Sequence, residues 1–99
     1  MVIEYIRYRI PADQADQFIA AYATAGKVLR DSSHCLGVEL SRCTEEPTSF
    51  MLRIEWDSVD GHLNGFRKSP AFRDFLASVR PYVGNIEEMR HYEQTLLGK

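Results

Sequence analysis

From Val2 to Ile10 the chain alternates, with Val2, Glu4, Ile6, Tyr8 and Ile10 on one side and Ile3, Tyr5, Arg7 and Arg9 on the other. A period of two is that of a pleated strand. Pro11 ends it, and Asp13 and Asp16 suit the positive start of a helix. Along that helix Ala15, Phe18, Ile19, Tyr22, Ala25 and Leu29 recur at helical spacing, and Lys27 and Arg30 sit at its negative end. After Asp31-Ser32-Ser33 alternation returns between Cys35 and Cys43, around Val38 and Leu40. Glu45-Glu46-Pro47-Thr48 reads as a loop, and Phe50, Leu52, Ile54 and Trp56 then alternate with Met51, Arg53 and Glu55. Two strands joined by a short loop predict a hairpin.

In the second half, Asp57 or Ser58 is placed to cap a short helix whose stripe is Val59, His62, Leu63 and Phe66. Ser69 before Pro70 is a second cap, opening a helix with Phe72, Phe75, Leu76 and Val79 in register. Pro81 stops it. Ile86 to Gln94 reads as a last strand, with Ile86, Arg90 and Tyr92 on one face and Met89 and His91 on the other. The order β-α-β-β-α-β predicts one α+β domain spanning residues 1–99, a ferredoxin-like antiparallel sheet with helices on one face. The uncovered face would carry Ile3, Tyr5, Met51 and Met89 among Arg7, Arg9, Arg53, Glu39, Glu55, Glu87 and Glu93. Tyrosine, methionine and arginine beside complementary acids suit an interface, so a homodimer with facing sheets is expected. A monomer with an open polar sheet is the plainer alternative.

Length and charge narrow the function classes. Ninety-nine residues bury one modest core and leave no room for a second folding unit. With a net charge of -2 and no basic block, nucleic acid and anionic membranes are poor partners, leaving small molecules or a second copy of the chain. MVIEYIRYRI is interrupted by arginines and is neither a signal peptide nor a membrane span, which makes a cytoplasmic location the expectation. Cys35 and Cys43 stand at opposite ends of one predicted strand, roughly 26 Å apart at about 3.3 Å per residue, too far for a disulfide. Free thiols fit a reducing compartment.

The candidate chemistry gathers around EWDSVDGHLNGF. Trp56 lies on the strand face that meets the helices, and His62 flanks the apolar stripe of the short helix. An imidazole there is a candidate general base with a pKa already near neutrality. The plainer reading is a histidine at the core edge, satisfied by one hydrogen bond. Gly61 and Gly65 weaken the helix, which points either to a mobile lid or to close packing. Tyr8, Tyr22, Phe66, Phe72 and Phe75 project into the same gap as walls of an aromatic pocket or as ordinary core. Glu4, with Arg42 or Arg90, is a polar exception that would need a partner if buried. No metal site is predicted, because His34 and Cys35 are adjacent, His91 is remote and no pair has ligand spacing. Phosphate-loop, flavin and nucleophile-elbow motifs are absent from the sequence.

Through EWDS at the end of the third strand, FRKSPAFRDF entering the second main helix and MRHYE in the last strand, the whole chain resembles the antibiotic biosynthesis monooxygenase domain, a dimeric α+β-barrel family. CLGVELSRCTEEP, GHLNGFRKS and IEEMRHYE are similar to the variant of that domain attached to truncated haemoglobins. The resemblance implies a cofactor-independent monooxygenase that deprotonates a phenolic or quinol-type aromatic substrate, whose anion then reacts with O₂; no cofactor is expected. It further implies functional roles for Trp56 and for a tyrosine a few residues on, a place taken here by His62. Tyr8, Tyr22, Phe66 and Phe72 become the substrate-binding walls. The haem-degrading relatives use an asparagine and a histidine where this chain has Ile6 and Leu76, so haem degradation is not implied. Many relatives carry a histidine just before RKS, where Phe66 stands here. A non-catalytic binding module serving a haemoglobin-like protein, or an isomerase using the same pocket, are the alternatives.

Overall fold

The computed structural model describes residues 1–96. Four strands, β1 (Val2–Arg9), β2 (Cys35–Arg42), β3 (Ser49–Trp56) and β4 (Ile86–Glu93), alternate with two helices, α1 (Ala15–Arg30) and α2 (Pro70–Val79). The sheet is antiparallel in the order β2-β3-β1-β4, with both helices on one face. This is the predicted α+β ferredoxin-like arrangement.

The alternation seen in the sequence becomes the layering of the molecule. Tyr8, Phe50, Leu52, Ile54 and Trp56 point at the helices and are buried, as are Phe18, Tyr22, Ala25 and Leu29 on the inner stripe of α1. Phe18 is the hub. The rings of Tyr8, Phe50, Tyr82 and Tyr22 surround it at centroid distances of 4.8, 5.0, 5.1 and 5.2 Å, each edge to face. Each such ring is worth about 1.5–3 kcal/mol of burial, and the edge contacts add to that.

Ser69 has the extended backbone of a helix cap and Pro70 follows at the first helical position, as expected. Its hydroxyl, however, donates back to the Phe66 carbonyl at 2.6 Å and leaves the α2 amides alone. The short helix predicted after Asp57 starts at Val59 but winds as a π-helical turn, Gly61–Gly65, running into a 3₁₀ turn, Phe66–Lys68. In that wider turn only His62 and Phe66 of the expected stripe are buried; Val59 and Leu63 face outward.

The larger correction concerns β4. Arg7 pairs with Glu88 but Tyr8 pairs with Ile86, so Glu87 is an extra residue without a partner on β1. This bulge reverses the alternation beyond it. Met89 pairs with Ile6 and His91 with Glu4, and both turn toward the helices, while Arg90 and Tyr92 pair with Tyr5 and Ile3 on the uncovered face. The uncovered face therefore lacks Met89 and gains Tyr92, whose ring meets Tyr5 edge-on at 5.3 Å. Arg53–Glu55 at 2.6 Å and Arg7–Glu88 at 3.5 Å complete a mixed polar and aromatic surface. Cys35 and Cys43 are free thiols. Among the described residues, no helix is long and apolar enough to cross a membrane.

Candidate active site

Between the sheet and α2 lies a cavity of about 200 Å³. Its walls include Tyr8, Ile54, Phe66, Phe72, Phe75 and Leu76, and its polar groups are Glu4, His62 and Arg67 at one end. Phe72 and Phe75 belong to the α2 stripe but are only half-buried, because this space lies in front of them. Met89 and Val83 line the cavity and are 47% and 45% exposed, which marks its mouth. Of the predicted walls, Tyr8, Phe66 and Phe72 line it. Tyr22 does not; it lies behind Tyr8 in the core, where the two hydroxyls are hydrogen-bonded.

Five elements build the polar end. β3 ends in Trp56, wholly buried, and β1 supplies Glu4, which is 2% exposed. The indole Nε1 donates to Glu4 Oε1 at 3.0 Å. The π-helical turn brings His62, 3% exposed, flat onto Trp56, with centroids 4.3 Å apart and planes 10° from parallel. β4 supplies His91, whose Nε2 is 2.7 Å from His62 Nδ1. Arg67, in the 3₁₀ turn, places Nε 3.3 Å from His62 Nε2.

Donor chemistry fixes the tautomers. Arginine only donates, so His62 Nε2 accepts and the ring proton sits on Nδ1, which donates to His91 Nε2. The lone pair of His62 thus faces the Arg67 side of the cavity end. Burial first, then the Arg67 charge and competition with His91 for a proton, push the His62 pKa down to about 4, below the near-neutral value expected of it, so the ring is neutral at physiological pH. Burial raises the Glu4 carboxyl above its ordinary range; the Trp56 hydrogen bond and the charges of His91 and Arg67 oppose the shift. It also raises the Tyr8 hydroxyl, leaving that group a neutral donor or acceptor.

Sequence reasoning placed Trp56 and His62 together and singled out Glu4, but it separated His91 from them. Strand parity puts His91 outside, and only the unpaired Glu87 brings it in. Arg67 is not among the residues the sequence singles out. The glycines of the turn are explained by packing. A β-carbon on Gly61 would run into the Asp57 carboxylate, and one on Gly65 would lie 2.5 Å from the His34 ring. His34 Nδ1 is itself bonded to Asp57 at 2.8 Å.

The antibiotic biosynthesis monooxygenase family matches residues 1–78 of the chain. The uncharacterized protein YczJ of Bacillus subtilis is 24% identical over 93 residues, covering 94% of this chain and 98% of that one. A crystal structure from Bordetella bronchiseptica, described by the same family name, superposes with a TM-score of 0.80 at 26% identity, over 96% of this chain and 97% of the other. SnoaB, a cofactor-independent oxygenase from Streptomyces nogalater, superposes with a TM-score of 0.79 at 14% identity, over 97% and 94% of the two chains, a likeness of fold.

Proposed function

Because the chain belongs to the antibiotic biosynthesis monooxygenase family, we propose that it is a cofactor-independent monooxygenase acting on a phenolic or quinol-type aromatic small molecule, with O₂ as the oxidant. The observation that carries this reading is a neutral imidazole, His62, stacked on Trp56 at the polar end of a cavity whose other walls are aromatic and aliphatic. A flat substrate enters past Met89 and Val83 and lies among Tyr8, Phe66 and Phe72. Its hydroxyl takes the place of Arg67 at His62 Nε2. Arg67 is exposed, so it is free to turn and face the oxyanion that forms.

His62 takes the phenolic proton, and the electron-rich anion transfers an electron to O₂. Carbon–oxygen bond formation gives a hydroperoxide at the ring carbon. Its collapse leaves one oxygen as a new carbonyl and releases the other as water, which carries away the proton held by His62 and the remaining hydrogen of that carbon. Trp56 holds the base by stacking and orients Glu4. His91 is a positioning residue, since its acceptor nitrogen keeps the His62 proton on Nδ1 and the lone pair on Nε2. The active form is proposed to be a homodimer joined through the uncovered sheet face.

Oxygen uptake by the metal-free protein, measured across hydroquinones, anthrones and related phenols, tests the proposal. His62→Ala should lower turnover by roughly 10²-fold or more with the fold intact. Undiminished uptake in that variant removes His62 from the mechanism. No uptake with any phenol, together with a melting temperature raised by one of them, turns the cavity into a binding site without oxygenase chemistry.

A further inference from the structure

Glu4 is a buried carboxylate whose hydrogen-bond donor among the described side chains is the neutral indole of Trp56. Buried carboxylates are ordinarily paired with a cation or ligate a metal. Directly across the β1–β4 ladder stands His91, and above both sits His62. One ligand atom from each of the three lies within 4.8 Å of the other two. We propose that Glu4, His62 and His91 form a binding site for a divalent first-row transition ion, such as zinc, iron(II) or cobalt(II).

Two imidazoles and a carboxylate converging from one side form a ligand set that such ions accept, leaving further positions open. Two of the three ligands, Glu4 and His62, line the cavity. Metal–ligand bonds of about 2.0–2.2 Å place neighbouring donors roughly 3.0–3.5 Å apart. The two histidines, now 2.7 Å apart, must separate slightly, and the Glu4 carboxylate must move inward. The movement asked of Glu4 is a rotation of its side chain, with Trp56 Nε1 as its outer partner.

Proton bookkeeping is simple. The hydrogen on His62 moves from Nδ1 to Nε2, freeing Nδ1 for the ion beside His91 Nε2. The new Nε2–H points toward Glu4 Oε1, now 3.7 Å away, and Arg67 swings into solvent. Both rings remain neutral ligands. A bound ion would also remove His62 as a base, so ion binding and the proposed oxygenation exclude one another in the same chain. The binding itself does not depend on the oxygenase reading.

Cobalt(II) titrated into chelator-stripped protein is the test, followed by its visible d–d absorption and by calorimetry, with zinc as competitor. One ion per chain is expected, and His91→Gln and Glu4→Gln should each weaken binding at least about tenfold. Both replacements are close in shape, and the near-ultraviolet signal of Trp56 reports whether the core survives. Should a variant misfold, the wild-type protein still decides. Cobalt should broaden the ring signals of His62 and His91 in the NMR spectrum and spare His34. No binding, wild-type affinity in both folded variants, or broadening confined to the exposed His34–Asp57 pair overturns the site. Oxygen uptake without cobalt binding sinks the ion site alone; cobalt binding without uptake sinks the oxygenase reading alone.

Discussion

His62 is held neutral by its surroundings, and this has a measurable sign. Its pKa falls from 6.5 to about 4 on folding, so between those values the unfolded chain binds a proton that the native chain refuses. Stability of the metal-free protein should therefore decline as pH drops through this window, by about 3 kcal/mol when complete. Urea denaturation at neutral pH and near pH 4.5, compared with His62→Gln, checks it: the variant should show the shallower pH dependence. Glu4 behaves in the opposite sense. Its carboxyl is raised on folding, chiefly by burial, so stability is lost as pH rises from its ordinary range through the higher folded value. Glu4→Gln, which keeps an acceptor for Trp56, should consequently be more stable than wild type at neutral pH in the same denaturation experiment. Glu4, Trp56 and His62 were legible in the sequence because each obeys the period of its own element. His91 was not, since its side is set by one extra residue four positions earlier.

At the scale of elements, the strands and both helices were readable from periodicity, whereas the segment between β3 and α2 was not. A π-helical turn places side chains at angles that a regular stripe does not anticipate, so Val59 and Leu63 were expected inside and stand outside. Its glycines obey a local rule too. In an ordinary helix, Gly→Ala gains roughly 1 kcal/mol. At Gly65 the new methyl would meet the His34 ring, so Gly65→Ala should instead destabilise, by about 1–3 kcal/mol as other overpacked sites do. Thermal or urea unfolding decides the sign, and adding His34→Ala should recover most of the loss. A gain in the single variant would show that the turn relaxes freely, and the argument for packing would go with it.

For the whole molecule, the uncovered sheet face is the surface on which self-association would act. Its Tyr5–Tyr92 pair and the Arg53–Glu55 ion pair form a mixed surface of the kind found at protein contacts. Sedimentation equilibrium at micromolar concentration should give twice the mass of one chain, and Tyr5→Asp should weaken self-association at least about tenfold. A monomer at that concentration would leave the face to solvent. Fold class was legible at this scale because only a few topologies satisfy the order of elements. The β2-β3-β1-β4 order also has a consequence in time. β1 is made first, yet it lies inside the sheet and receives its second neighbour, β4, last of all. A nascent chain paused before Ile86 has β1 paired only with β3, offering a row of open amides and carbonyls to any other strand nearby. The cavity end is equally unfinished at that moment, because His91 has yet to arrive. Until β4 docks, the β1 edge is therefore open to pairing with another chain, and this eight-residue strand is what closes it.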